Sequence, residues 1–82
     1  MKKCLVIELK RYNSSDVAVG QALRYIGWVK RHFAEPDDEV LGLIIGRSAD
    51  QQLQYVIESV PALRAMTYEV KFRLDGLPQL AR

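Results

Sequence analysis

The chain has 82 residues, 49 % of them hydrophobic and 27 % charged, with a formal net charge of +2. Such a length holds one domain, residues 1–82, which buries only about 60 % of its unfolded surface and has a thin stability margin. No apolar run approaches the roughly 20 residues of a membrane span. The stretch after Met1-Lys2-Lys3 is interrupted at Glu8, against a signal peptide. The lone cysteine, Cys4, excludes an intrachain disulfide and a cysteine-based metal centre. A reducing cytoplasm is the expected compartment.

The first element is a strand over Lys3–Leu9. Its apolar residues run without a break, as in a strand covered on both faces. Glu8 and Lys10 close it, and in a strand residues i and i+2 share a face about 7 Å apart. Ile7 and Leu9 are then expected to point the other way, into a core. A polar loop over Arg11–Ser14 follows. Ser14 or Ser15 caps a helix reaching about Phe33, and Asp16 in its first turn suits the helix dipole. Val19, Ala22, Leu23, Ile26, Val29 and Phe33 recur at helical spacing as its apolar stripe. Gly20 lies inside this helix at a cost of about 1 kcal/mol against alanine.

Pro36-Asp37-Asp38 forms a turn, and Val40–Ile45 a second strand, again continuously apolar. Gly46 and Arg47 leave it. Ser48 and Gln51 have capping-box spacing for a second helix, with Leu53, Val56, Ile57 and Val60 on its apolar side. Pro61 ends that helix. In the third strand, Met66–Leu74, Tyr68, Val70, Phe72 and Leu74 alternate with Glu69, Lys71, Arg73 and Asp75, the pattern of a half-exposed edge strand. The tail after Gly76 reads as frayed. Strand-helix-strand-helix-strand predicts an α/β fold with a three-stranded, mostly parallel sheet in sequential order. The first strand would then be an apolar edge open to pairing with another chain.

Charge is distributed unevenly. Residues 1–33 hold seven basic and two acidic side chains, and residues 34–82 hold five and eight. The basic half can attract a polyanion. That half also holds the residues with chemical potential. An acid and a lysine on one face of a strand end can hold a divalent cation and activate a water beside it. On the first helix Gln21 and Tyr25 stand one turn apart. Trp28 and His32 continue their stripe, about 120° round from the apolar one at 100° per residue. Each feature has a plain reading as well. Glu8 and Lys10 suit a surface ion pair worth about 0–1 kcal/mol. Trp28 suits packing against a neighbour, and Cys4 behaves as a small apolar residue. Glycines at 42 and 46 lack the spacing of a phosphate-binding loop.

The segment Leu5-Val6-Ile7-Glu8-Leu9-Lys10, followed by Val19-Gly20-Gln21-Ala22-Leu23-Arg24-Tyr25-Ile26-Gly27-Trp28, resembles the PD-(D/E)XK nuclease superfamily. It is most similar to the C-terminal catalytic domain of NucS-like (DUF91) endonucleases, where an E-x-K strand end precedes a Q-x-x-x-Y helix. The similarity extends through Leu43-Ile44-Ile45 to Tyr68-Glu69-Val70-Lys71-Phe72. It implies a partial restriction-endonuclease-like core and cleavage of DNA with Mg²⁺ or Mn²⁺. Glu8 and the carbonyl of Leu9 would be metal ligands. Lys10 would orient the attacking water and stabilise charge on the phosphate, with Gln21 and Tyr25 positioning the site and the strand. Lys10, Arg11, Arg24 and Trp28 would contact nucleic acid. The family's first acidic ligand comes from a hairpin before this strand, and residues 1–9 contain no Asp. The expectation is therefore a truncated core, or an inactive module that binds nucleic acid or itself, with a homodimer formed through residues 3–9.

Overall fold

The computed structural model describes residues 1–11 and 14–77, so the expected loop over Arg11–Ser14 lies partly, and the tail after Gly76 mostly, outside the described residues. Five elements follow in chain order: β1 Lys3–Lys10, α1 Ser15–His32, β2 Glu39–Gly46, α2 Gln51–Ser59 and β3 Leu63–Thr67. The strands form one parallel sheet in the order β1-β2-β3. This is the α/β architecture expected from the alternation of elements.

The crossovers β1-α1-β2 and β2-α2-β3 step the same way across the sheet. Right-handed crossovers that advance in one direction put both helices on the same face. Burial along the strands records this. On β1 Cys4, Val6, Glu8 and Lys10 are partly covered, whereas Lys3, Leu5, Ile7 and Leu9 are exposed. On β2 Val40, Gly42, Ile44 and Gly46 are buried, and Leu41, Leu43 and Ile45 only half so. The core is one layer, in which Ala18, Val19, Ala22 and Ile26 of α1 and Leu53 of α2 meet Val40, Ile44 and Leu63 of the sheet.

Several expectations are corrected by this geometry. β1 is covered on one face only, with Ile7 55 % and Leu9 48 % exposed rather than in a core. A continuous apolar run does not tell which faces are covered, and here the missing cover follows from crossover direction. On α1, Leu23 and Phe33 are exposed, while Ser15 and Ala18 are buried instead. The α2 cap is Asp50, not Ser48. β3 begins at Leu63 and ends at Thr67, which pairs with Gly46, the last residue of β2. The Tyr68 N–H makes one last bond to the Gly46 carbonyl at 3.0 Å, and among the described residues the expected strand residues Glu69–Leu74 have no neighbouring strand.

Local signals explain the helix ends. Ser14 caps α1 by accepting from the Val17 N–H at 3.3 Å, and Lys30, Arg31 and His32 occupy its last turn, where the dipole favours cations. Asp38 in the turn before β2 accepts from the N–H groups of Lys2 and Glu35, each at 2.8 Å, which ties the start of β1 to that turn. Gly20 has open space where a Cβ would stand, with nothing within 4 Å. Gly20→Ala is therefore expected to raise stability by about 0.5–1 kcal/mol, seen as a higher urea midpoint at unchanged slope.

Candidate functional site

Parallel strands bring their carboxyl ends to one end of the sheet, and open α/β folds place ligand chemistry there. Here that end presents Lys10, Gly46 and Thr67, with the first residues of α1 and α2 beside them. Glu8 and Lys10 share the helix-covered side of β1, both half-buried. The stem of Lys10 lies over Gly46: a Cβ there would stand 3.3 Å from Lys10 Cβ and 3.5 Å from its Cδ. The glycine thus gives the lysine a flat bed on the neighbouring strand.

The backbone contributes as well. The carbonyl of Lys2 accepts from Glu39 N–H at 3.0 Å, so it points at β2. Backbone groups of successive strand residues alternate in direction, so Cys4, Val6, Glu8 and Lys10 also turn theirs towards β2. Lys3, Leu5, Ile7 and Leu9 turn their N–H and C=O groups to the open edge. The Leu9 carbonyl is left outside the ladder, one residue from the Glu8 carboxylate. Among the described residues the Glu8 carboxylate makes no hydrogen bond and no ion pair, with Lys10 or with any other group. The surface ion pair suggested by the spacing is not formed.

A second carboxylate stands at the same end. Asp50 accepts from Leu53 N–H at 2.8 Å, which caps α2, and from the Ser15 hydroxyl at 2.7 Å. Ser15 is 1 % exposed and Asp50 is exposed, so the two helix N-termini are pinned together through a part-buried contact. The Leu53 N–H, then the Ser15 hydroxyl, hold the Asp50 pKa below its usual 3.8, and the nearby Lys10 charge adds to this against partial desolvation. Asp38 is lowered too, first by the Glu35 N–H and then by that of Lys2. A carboxylate with a depressed native pKa contributes stability that is complete above its unfolded value and lost as pH falls through the native one. The thermal midpoint is therefore expected to fall as pH drops through and below 3.8. Asp50→Asn keeps a capping acceptor but cannot titrate, so its midpoint should fall less steeply over the same acid range.

Arginines lie across the sheet plane from Glu8. Arg11, Arg47, Tyr68 and Val70 line a cleft of about 370 Å³. An adjoining recess of about 320 Å³ is formed by Leu9, Lys10, Arg11, Ile45 and Tyr68. The end of β1 thus sends Lys10 towards the helices and Arg11 towards the bare side. Arg47 and Tyr68 were not singled out from the sequence. Each sits one residue past a strand end, which becomes legible only once the strand ends are known.

The remaining predicted residues are spread along α1. Gln21, Tyr25 and Trp28 lie on the flank turned away from α2, above the open edge of β1. α1 runs back along the sheet at about 1.5 Å per residue, which puts Gln21, Tyr25 and Trp28 roughly 9, 15 and 20 Å from the helix start. Gln21 is half-buried, and Tyr25 and Trp28 are more than half exposed. Trp28 packs on His32 and Phe33 with ring centroids 4.8 and 5.2 Å apart. Arg24, Tyr25 and Trp28 form a separate shallow apolar recess of about 340 Å³. The fold therefore groups Glu8, Leu9, Lys10 and Arg11 at the strand end and sets Gln21, Arg24, Tyr25 and Trp28 along α1.

Among the described residues no three His, Cys, Asp or Glu side chains come together as a metal cluster. A hard cation takes oxygen ligands. Mg²⁺ retains several waters and binds through one or two carboxylates together with substrate phosphate oxygens. Glu8 and the Leu9 carbonyl provide oxygen donors of that kind. Comparison with known protein families, characterised proteins and solved structures finds no match to this chain. Among the described residues no helix is long and apolar enough to cross a membrane.

Proposed function

We propose that this chain forms part of a metal-dependent endonuclease core acting on DNA, of the PD-(D/E)XK type and closest to the NucS-like enzymes, working in the cytoplasm. The observation that carries this reading is the strand end itself. Glu8 and Lys10 share one side, the Leu9 carbonyl lies outside the ladder, and Lys10, Arg11 and Arg47 concentrate positive charge at the carboxyl end of the sheet. Glu8 and Leu9 would hold Mg²⁺ or Mn²⁺, which supplies an activated water and a clamp on the phosphate. Lys10 holds the proton balance at the attacking water and opposes charge on the phosphate oxygens. Gln21 would help position the site. Tyr25, Arg24 and Trp28 provide a surface for the nucleic-acid strand further out.

A second reading is favoured by the single unpaired carboxylate, which is sparse for a metal site. On that reading the arginine cleft binds nucleic acid and no cleavage occurs. Mn²⁺ titration calorimetry on the wild type and Glu8→Ala, with a DNA cleavage assay on both, separates the two. Binding and cleavage that vanish together in Glu8→Ala support the nuclease. DNA affinity that falls steeply with salt, with no metal binding in either protein, supports the second reading.

A further inference from the structure

We infer that the helix-free side of the sheet is a self-association surface, and that a second copy of this chain packs against it face to face. The inference stands independently of the nuclease reading. On that side Leu5, Ile7 and Leu9 of β1 lie beside Leu41, Leu43 and Ile45 of β2 and Met66 of β3. Their exposures include 56 % for Leu5, 55 % for Ile7 and 61 % for Met66. This apolar centre has a polar rim: Lys3 and Glu39 at one end, Arg11 and Arg47 at the other, and on β3 Arg64, which pairs beside Leu43 and turns its guanidinium to the Pro61 and Leu63 carbonyls. Such an arrangement is the anatomy of a protein interface, and a polyanion gains nothing from its centre.

The segment after β3 extends the same surface. Side chains alternate along extended backbone, so Tyr68, Val70, Phe72 and Leu74 keep the side of Met66. Tyr68 and Val70 do so, since they line the cleft with Arg11 and Arg47 on that side of β1 and β2. Phe72 is 84 % and Leu74 95 % exposed. The chain measures 66 Å in its longest dimension with a radius of gyration of 18.2 Å, against about 12 Å for a compact chain of this length. An amphipathic arm thus projects beyond the sheet with its apolar row unburied.

Area decides the occupant. Weighted by exposure, the face and the arm together offer roughly 1,000 Å² per copy, above the ~800 Å² per partner of a standard stable interface. Two copies related by a two-fold axis cover each other's apolar side, since that patch is self-complementary by chemistry. Sheets packed in this way lie about 10 Å apart, enough for the leucine and isoleucine side chains to interdigitate. The helices remain on the outside, so α1 and the Glu8 side of β1 stay accessible.

Sedimentation velocity of the full chain, from low micromolar to submillimolar loading, tests this. A saturating dimer is expected for the wild type. Ile7→Lys puts a charge at the centre of the face and should weaken the dimer by about 100-fold or more. Phe72→Asp, on the projecting arm, should weaken it by about 10-fold without touching the domain core. Circular dichroism of both variants should match the wild type, and should Ile7→Lys lose its fold, Phe72→Asp alone decides. A wild type that stays monomeric, one that grows past dimer without saturating, or a dimer indifferent to Phe72→Asp overturns the proposal.

Discussion

Gly42→Val is expected to lower stability by about 3 kcal/mol, a fall of roughly 15 °C in thermal midpoint for a domain of this size. Gly42 is buried in the middle of β2, and its missing side chain is where three elements converge. A Cβ there would stand 2.7 Å from Leu63 Cδ2 of β3 and 2.8 Å from Ile26 Cδ1 of α1. Both neighbours are themselves core residues, 0 % and 5 % exposed, so neither methyl can swing into solvent. Valine adds branched bulk where even one carbon collides, although it suits a strand better than glycine does. Overpacking therefore exceeds the gain in strand propensity. Calorimetry or thermal circular dichroism checks this. A midpoint within a few degrees of the wild type would mean that α1 does not sit over Gly42 as described.

Lys10→Ala is expected to cut DNA cleavage by about 100- to 1,000-fold while leaving Mn²⁺ binding intact. On the proposed reading the two residues of the strand end then separate by role, since Glu8→Ala would remove the metal itself. On that reading Lys10 is not a metal ligand, and its amine would act on the water and the phosphate. Its stem rests on Gly46, so the charge is held near the strand end without an ion pair to Glu8. Loss of the amine also removes the charge that helps keep the Asp50 carboxylate ionised. That effect is secondary to the hydrogen bonds from Leu53 and Ser15, so Lys10→Ala should fold normally. Single-turnover cleavage beside calorimetry gives both readouts. Equal cleavage by wild type and Lys10→Ala would remove Lys10 from the chemistry.

The elements and their order were legible because each rests on short-range physics. Alternation of strand and helix patterns predicted the parallel α/β sheet. The Ser14 cap, the acid in the first turn of α1 and the stop before Pro61 are local signals that tertiary packing leaves in place. Glu8 and Lys10 were recognised as sharing a side because strand periodicity requires it. Asp50 was missed in favour of Ser48, since both residue types cap helices and the choice depends on where Ser15 lies across the fold.

What the sequence alone determined was therefore the set of elements, their succession and the parity of residues along each strand. The tertiary structure decided which parity is buried. Apolar residues stand on both sides of β1, and no local rule distinguishes Cys4 and Val6 from Leu5, Ile7 and Leu9. The direction of two crossovers makes the choice by placing both helices over one face. β3 stops at Thr67 because β2 ends at Gly46, whose carbonyl accepts a last bond from the Tyr68 N–H. Glu69–Leu74, strand-like by pattern, are left without the ladder that a strand requires.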